Sequence, residues 1–339
     1  MNYFVKKFLP LVLLSSLGTG FYAHCMEIEE KTNVVEEPPR RSFDNVVPIE
    51  EIATGRSPHS AVVSPDKKTV LFVLYNGKAI LWDIQTKEQL QEFIRPTGYI
   101  RAAAFSADGN FIFTGADDNT GSLWDKETGK ELQKFTTESG IWTAAFSPDN
   151  ENILVGLLNG SVELRNIKTG APVKKFVLYD KSLGHVSKVA FSLNGRFIAA
   201  GFSNGVVYVW DNGTGELVEE FKIPGSVYTL AFSPDGTSIL TGSLDDQTAR
   251  LWEIATGKLV QEFVMPSSGS IYSVSFSSDG KFVLTAGDKG IVTLWEAASG
   301  KKIKEWAYHN ESVIAMTLNS DDDTMITVSK DGEIVLWGS

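Results

Sequence analysis

One stretch recurs along this chain and limits what it can fold into. Gly225–Glu253, GSVYTLAFSPDGTSILTGSLDDQTARLWE, reads as three short strands, Val227–Phe232, Ser238–Ser243 and Thr248–Trp252. The turn Ser233-Pro234-Asp235-Gly236 separates the first two, and Asp245-Asp246-Gln247 separates the last two. Proline pre-sets φ and glycine admits the positive φ that a tight reversal uses. The pattern occurs six more times: the sites equivalent to Trp252 are Trp82, Trp124, Arg165, Trp210, Trp295 and Trp337. Successive spacings are 42, 41, 45, 42, 43 and 42 residues.

A period of roughly 40–45 residues with about four strands per unit predicts a β-propeller. The columns of the repeat support this. The turn before the third strand reads Asn76-Gly77, Asp118-Asn119, Asn159-Gly160, Asn204-Gly205, Asp246-Gln247, Lys289-Gly290 and Asp331-Gly332. These pairs suit a type I′ hairpin, in which both central residues take φ > 0. The third strand ends in Trp-Asp, Trp-Glu or Trp-Gly, a further turn carries Thr-Gly or Ser-Gly, and a fourth strand such as Lys258–Val264 alternates charged and apolar positions, as an edge strand does. The inner strands Val227–Phe232 and Arg101–Phe105 are apolar or small on both parities, which fits strands covered on both faces.

The unit resembles the WD40 repeat, and the resemblance covers about Val46 to the C-terminus. It implies an all-β fold, a seven-bladed propeller of four-stranded antiparallel blades. It also implies a structural tetrad of Trp, Ser or Thr, a His before the inner strand and an Asp in the hairpin turn. Asp118, Asp246 and Asp331 fit the Asp position, and only His185, within Gly184-His185, fits the His position. The last repeat ends at Trp337 and lacks an outer strand, while Val46–Ile52 occupies the outer-strand slot ahead of the first repeat. That segment is expected to complete the last blade and close the ring.

Residues 1–25 read as a signal peptide, with Lys6-Lys7 before the apolar run Phe8–Leu17 and a small-x-small site at Ala23-His24-Cys25. The run is shorter than the ~20 residues a spanning helix needs. The expectation is an exported protein, periplasmic or secreted, starting near Met26. The weaker alternative is a lipid anchor at Cys25 in the cell envelope, because Tyr22 and His24 depart from a lipobox. Residues 26–45 are acidic and Pro-containing and read as a tether, and residues 46–339 as the propeller. The long 45-residue spacing places an insertion at Leu178–Gly184.

Net charge is −11, and loss of Lys6 and Lys7 with the signal would leave −13. An acidic chain without a basic stripe is a poor nucleic-acid binder. Catalytic signals are thin. Gly201-Phe202-Ser203-Asn204-Gly205 matches GxSxG, but the motif needs a strand–turn–helix and here a strand follows at Val206–Trp210. His59, His185 and His309 lack zinc spacing, and Asp321-Asp322-Asp323 lacks the alternation of a calcium loop. No catalytic, cofactor or metal residue is assigned.

One column has no structural role to explain it. The residue after the first apolar position of each inner strand is His59, Arg101, Trp142, Ser187, Tyr228, Tyr272 or Ile314. In the family that position resembles the one lining the mouth of the central channel. Beside it stands the residue before each hairpin Asn or Asp: Tyr75, Asp117, Leu158, Ser203, Asp245, Asp288 or Lys330. Clustered Tyr, Trp and Arg typify interaction hot spots. The expected partner-binding residues are Tyr75, Arg101, Asp117, Trp142, Tyr228, Asp245, Tyr272 and Asp288. The competing reading is that these rings plug the channel. The function expected is a monomeric protein-interaction scaffold that binds a protein or peptide, its acids favouring a basic one. The alternative is a propeller enzyme, a hydrolase or quinone-dependent dehydrogenase, with its site at the mouth.

Overall fold

The computed structural model describes residues 46–95, 98–176, 184–265, 269–318 and 324–338. The expected signal peptide, tether and acidic turn Asp321-Asp322-Asp323, and all of the expected insertion but Gly184, lie outside the described residues. Strands assemble into seven four-stranded antiparallel sheets, the blades. Six are consecutive in sequence; the fifth, for example, comprises Val227–Phe232, Ser238–Ser243, Thr248–Glu253 and Leu259–Val264. The seventh joins Val47–Ala53 to Glu333–Gly338, Met325–Ser329 and Val313–Leu318. The N-terminal strand is thus the outer strand of the last blade, running from Val47 opposite Gly338 to Ala53 opposite Glu333. No helix among the described residues is long and apolar enough to cross a membrane.

Burial follows position in the blade. The second strands are almost wholly buried, as at Thr69–Leu74, because neighbouring blades cover both faces. An outer strand such as Leu259–Val264 fully buries one side chain, Phe263, and turns the rest outward. The apolar clusters form between blades: Leu71, Val73 and Phe93 of the first pack with Ile100, Phe105, Ile112 and Trp124 of the second. At the ring junction Val46 joins Trp306 and Trp337 in one cluster, and Ile52 joins Ile334 in another. The Trp306 indole N–H donates to the Val46 carbonyl at 3.2 Å, which ties the sixth blade to the closing strand.

The hairpin turns differ from expectation. Only the second residue of each pair takes φ > 0, as at Gly77, Asn119, Gly160, Gly205, Gln247 and Gly332; Lys289-Gly290 alone has both. Most of these loops have three residues, such as Tyr75-Asn76-Gly77, with the one left-handed residue last, as in common three-residue hairpin loops. The Asn or Asp is selected for another reason. Its carboxyl or amide oxygen accepts a backbone N–H two residues on, from Thr120 to Asp118 at 3.1 Å and from Ser161 to Asn159 at 3.0 Å.

The tryptophan column is anchored by threonine. Trp124, Trp295 and Trp337 donate to Thr114, Thr285 and Thr327 at 2.8 Å, and Trp252 donates to Thr241 at 3.2 Å. In the first blade Phe72 takes the threonine's place, and the buried Trp82 indole N–H has no partner. The tetrad histidine is not His185, whose ring instead lies tilted against that of Trp142 with 4.8 Å between centroids. It is His309, whose Nε2 lies 2.7 Å from Thr327 Oγ1 and Nδ1 2.5 Å from Glu333 Oε2. Thr327 accepts from Trp337, and in the tautomer with the proton on Nδ1 its hydroxyl donates to Nε2 while the imidazole Nδ1–H donates to Glu333. Burial lowers the His309 pKa to about 4; burial with the adjacent Glu51 and Asp331 raises that of Glu333 to about 7. The acid of the relay is therefore Glu333. Asp118 and Asp246 face Arg95 and Arg250 instead, at 3.6 and 2.6 Å.

In the third blade Arg165 replaces the tryptophan. Its guanidinium meets Glu163 Oε2 at 2.8 and 2.9 Å and donates to the Gly170 carbonyl at 3.0 Å, with both side chains buried.

Candidate functional site

The channel mouth is built by a backbone irregularity repeated around the ring. Each inner strand carries a β-bulge, with the register slipping between Pro58 and Ser60, Ile100 and Ala102, Ile141 and Thr143, and Val186 and Lys188. The same slip falls between Val227 and Thr229, Ile271 and Ser273, and Val313 and Ala315. The residue left unpaired in each case is the mouth residue: His59, Arg101, Trp142, Ser187, Tyr228, Tyr272 and Ile314. A bulge frees one residue from the ladder and re-aims its side chain. All seven line one cavity of about 160 Å³, together with Ser60, Thr143, Lys188 and Thr229.

The aromatic groups pair rather than fill the opening evenly. Tyr228 and Tyr272 meet edge to face at 5.2 Å. Across from them the Arg101 guanidinium lies 5.2 Å from the Trp142 ring and 5.7 Å from that of Tyr99, a cation–π arrangement on both sides. Asp117 holds Arg101 from the third side at 3.6 Å. The His59 ring lies tilted against that of Tyr75 with 5.0 Å between centroids, and its Nε2–H donates to the Ile100 carbonyl at 2.9 Å. His59, Tyr75, Tyr99 and Arg101 enclose a second recess of about 300 Å³ beside the channel. Burial, with Tyr272 and Tyr75 close by, pushes the Tyr228 phenol up to about 12, so it remains a neutral donor. Burial, and to a lesser degree the Arg101 charge, lowers the pKa of His59.

Of the eight expected residues, Arg101, Trp142, Tyr228 and Tyr272 line the channel cavity, with Tyr75 in the adjoining recess and Asp117 on Arg101. Asp245 and Asp288 stand outside both. The three acids share a structural duty: each accepts the backbone N–H preceding its own blade's inner strand, Asp117 from Tyr99 at 2.8 Å, Asp245 from Ser226 at 2.7 Å and Asp288 from Ser270 at 2.8 Å. Asp288 also accepts from the Ser312 hydroxyl at 3.0 Å. Their carboxylates thus fix the loops around the mouth. Tyr99, His185 and Lys188 are members of the site that column reasoning missed. The first two sit in loops just before an inner strand, and Lys188 lies in a strand column otherwise made of small residues.

Ser203 of the GxSxG match lies in a hairpin turn between strands Phe197–Phe202 and Val206–Asp211, and its N–H donates to the His185 carbonyl at 3.1 Å. That is an ordinary turn, without the strand-to-helix elbow that exposes a nucleophile. Among the described residues no group of three or more His, Cys, Asp or Glu could hold a metal ion.

Residues 57–338 match the family described as the IFT122 first beta-propeller. A guanine nucleotide-binding protein subunit beta of Oryza sativa subsp. japonica is 26% identical over 265 residues, covering 71% of this chain and 69% of the relative. The subunit beta of Arabidopsis thaliana is 28% identical over 223 residues, or 60% and 58%. Actin-interacting protein 1 of Drosophila melanogaster is 31% identical over 274 residues, 78% of this chain, which spans 44% of that relative's length.

Proposed function

The chain belongs to the WD40 β-propeller family, and from that premise we propose that it acts as a non-catalytic interaction platform whose protein or peptide partner docks over the channel mouth. The observation that carries the reading is the convergence of seven bulge residues on one opening, four of them Arg101, Trp142, Tyr228 and Tyr272. Hot spots are rich in Trp, Tyr and Arg set among residues that exclude water. Here Arg101 is pre-positioned by Tyr99, Trp142 and Asp117, so little freedom remains to be lost on binding. The acids Asp117, Asp245 and Asp288 around the mouth favour Lys or Arg on the flanks of the bound segment and tune association rate and salt sensitivity. The names of the relatives accord with interaction roles: one a subunit of a guanine nucleotide-binding protein, the other an actin-interacting protein.

Affinity capture of partners with wild-type and variant protein tests this. Trp142→Ala and Tyr228→Ala should each weaken a captured interaction by about thirtyfold, since truncating a hot-spot aromatic costs on the order of 2 kcal/mol or more. The fold should survive both. Trp252→Ala should lower stability instead. If the mouth variants keep full affinity and lose stability, the rings are a plug.

Export is proposed on the pattern of Lys6-Lys7 and Phe8–Leu17. N-terminal sequencing of protein from its native source should find a start near Met26, outside the cytoplasm. Intact Met1 on cytoplasmic protein would contradict it, and a diacylglyceryl group on Cys25 would establish the anchored form.

A further inference from the structure

The third position of the inner strands reads Ser60, Ala102, Thr143, Lys188, Thr229, Ser273 and Ala315. Six of these are small, and Lys188 is the charged exception. Lys188 is open to the channel and lines its cavity beside Ser187 and with Ser60, Ala102, Thr143 and Thr229 of its own column, none of which carries a charge. The surrounding protein lowers its pKa by desolvation, with no carboxylate among the causes. Arg101 has Asp117, whereas no ion pair joins Lys188 to a carboxylate among the described residues. Open to the channel without a counter-charge, this cation is favoured by an anion that reaches it, since an opposite charge close by stabilises the charged form.

The route to it is also shaped. In ring order Ser187 stands between Trp142 and Tyr228 and is the smallest of the mouth residues. The least bulky position of the mouth is therefore the one next to Lys188, the following residue of the same strand, Val186–Phe191. A cavity of about 160 Å³ admits one side chain with a few waters and no folded segment.

We infer that the segment bound at the mouth carries an Asp or Glu whose side chain passes Ser187, between Trp142 and Tyr228, and pairs its carboxylate with the Lys188 ammonium. This rests on the mouth being the docking site. It refines the expected charge of the partner: an acid at the centre, where the channel is cationic, with basic residues permitted on the flanks, where Asp117, Asp245 and Asp288 stand.

A random peptide library displayed on phage, selected against the full-chain protein, tests it with three variants. Peptides lost on Trp142→Ala should share an Asp or Glu. Changing that residue to Asn or Gln should weaken binding about tenfold on wild type and less than about twofold on Lys188→Met, the signature of a coupled charge pair. Lys188→Arg should keep the acid preference, and its melting curve and that of Lys188→Met identify any folding defect. Trp142-dependent peptides without an acidic position, or with one indifferent to Lys188, would overturn the inference and leave the docking site standing. Acetate that blocks these peptides only through Lys188, at the affinity of the peptides themselves, would make this a free-anion site and overturn it too. Peptides that bind without regard to Trp142 would remove the docking site and the inference together.

Discussion

Deletion of residues 1–53 is expected to destabilise the propeller severely, whereas deletion of residues 1–45 should leave its melting transition nearly unchanged. The eight residues between the two endpoints include the strand Val47–Ala53, which supplies the outer ladder of the seventh blade. Its loss leaves the polar backbone edge of Glu333–Gly338 unpaired and removes Val46 and Ile52 from the clusters around Trp337 and Ile334. Trp337 is 1% exposed and Trp306 9%. A buried tryptophan withdraws roughly 150–250 Å² from water, worth at most about 4–6 kcal/mol. Uncovering even part of two such rings, along with the ladder, takes a large share of the ~5–15 kcal/mol that stabilises a typical protein. The closing strand also carries Glu51, which accepts from the Tyr308 hydroxyl at 2.9 Å, and it is followed by Thr54, which donates to the Gly332 carbonyl at 2.7 Å. Equal melting temperatures for the two truncations would contradict closure by this strand.

The second large effect is expected in the third blade. Glu163→Leu should cost about 3–5 kcal/mol, because it strands the buried Arg165 guanidinium with only the Gly170 carbonyl as a partner. Arg165→Met should cost less, since Lys175 lies 3.9 Å from Glu163 and can turn toward the carboxylate left behind. The double variant should recover most of the loss, as replacing a buried pair by apolar groups often does. Thermal or urea unfolding of the four proteins closes this cycle. Additive losses in the double variant would show that the two side chains act independently.

The columns that the sequence made legible are those in which one residue type answers one physical demand at each repeat. The tryptophan of six repeats, the turn glycine of five and the buried aromatic of the six outer strands other than Val47–Ala53 recur once per repeat, and blade number follows from them, while closure follows from the outer-strand slot that Val46–Ile52 fills. The mouth residues were legible by position alone: seven side chains of six types, from Ser187 to Trp142, share a column because each occupies a bulge, and a bulge leaves no compositional mark. Where one residue type serves two purposes the reading failed. Asn and Asp before the turn glycine satisfy both a left-handed backbone and a side-chain acceptor, and the acceptor role is the one used. His309 follows Tyr308 rather than a glycine, so nothing local marks it as the relay histidine. Lys188 was hidden because strand patterning distinguishes two faces of a sheet, while the inner strands meet a third environment, the channel along their free edge.

The central claim is that partners dock at the bulge end of the inner strands, and one measurement addresses it most directly. A photo-crosslinking amino acid placed at Tyr228, and separately at Asp235, samples the two ends of the single strand Val227–Phe232 and its following turn. In the native setting, position 228 should crosslink to a partner and position 235 should not, and Trp142→Ala should abolish the product at 228. Crosslinking from position 235 with none from 228 would place recognition on the opposite face and contradict the account.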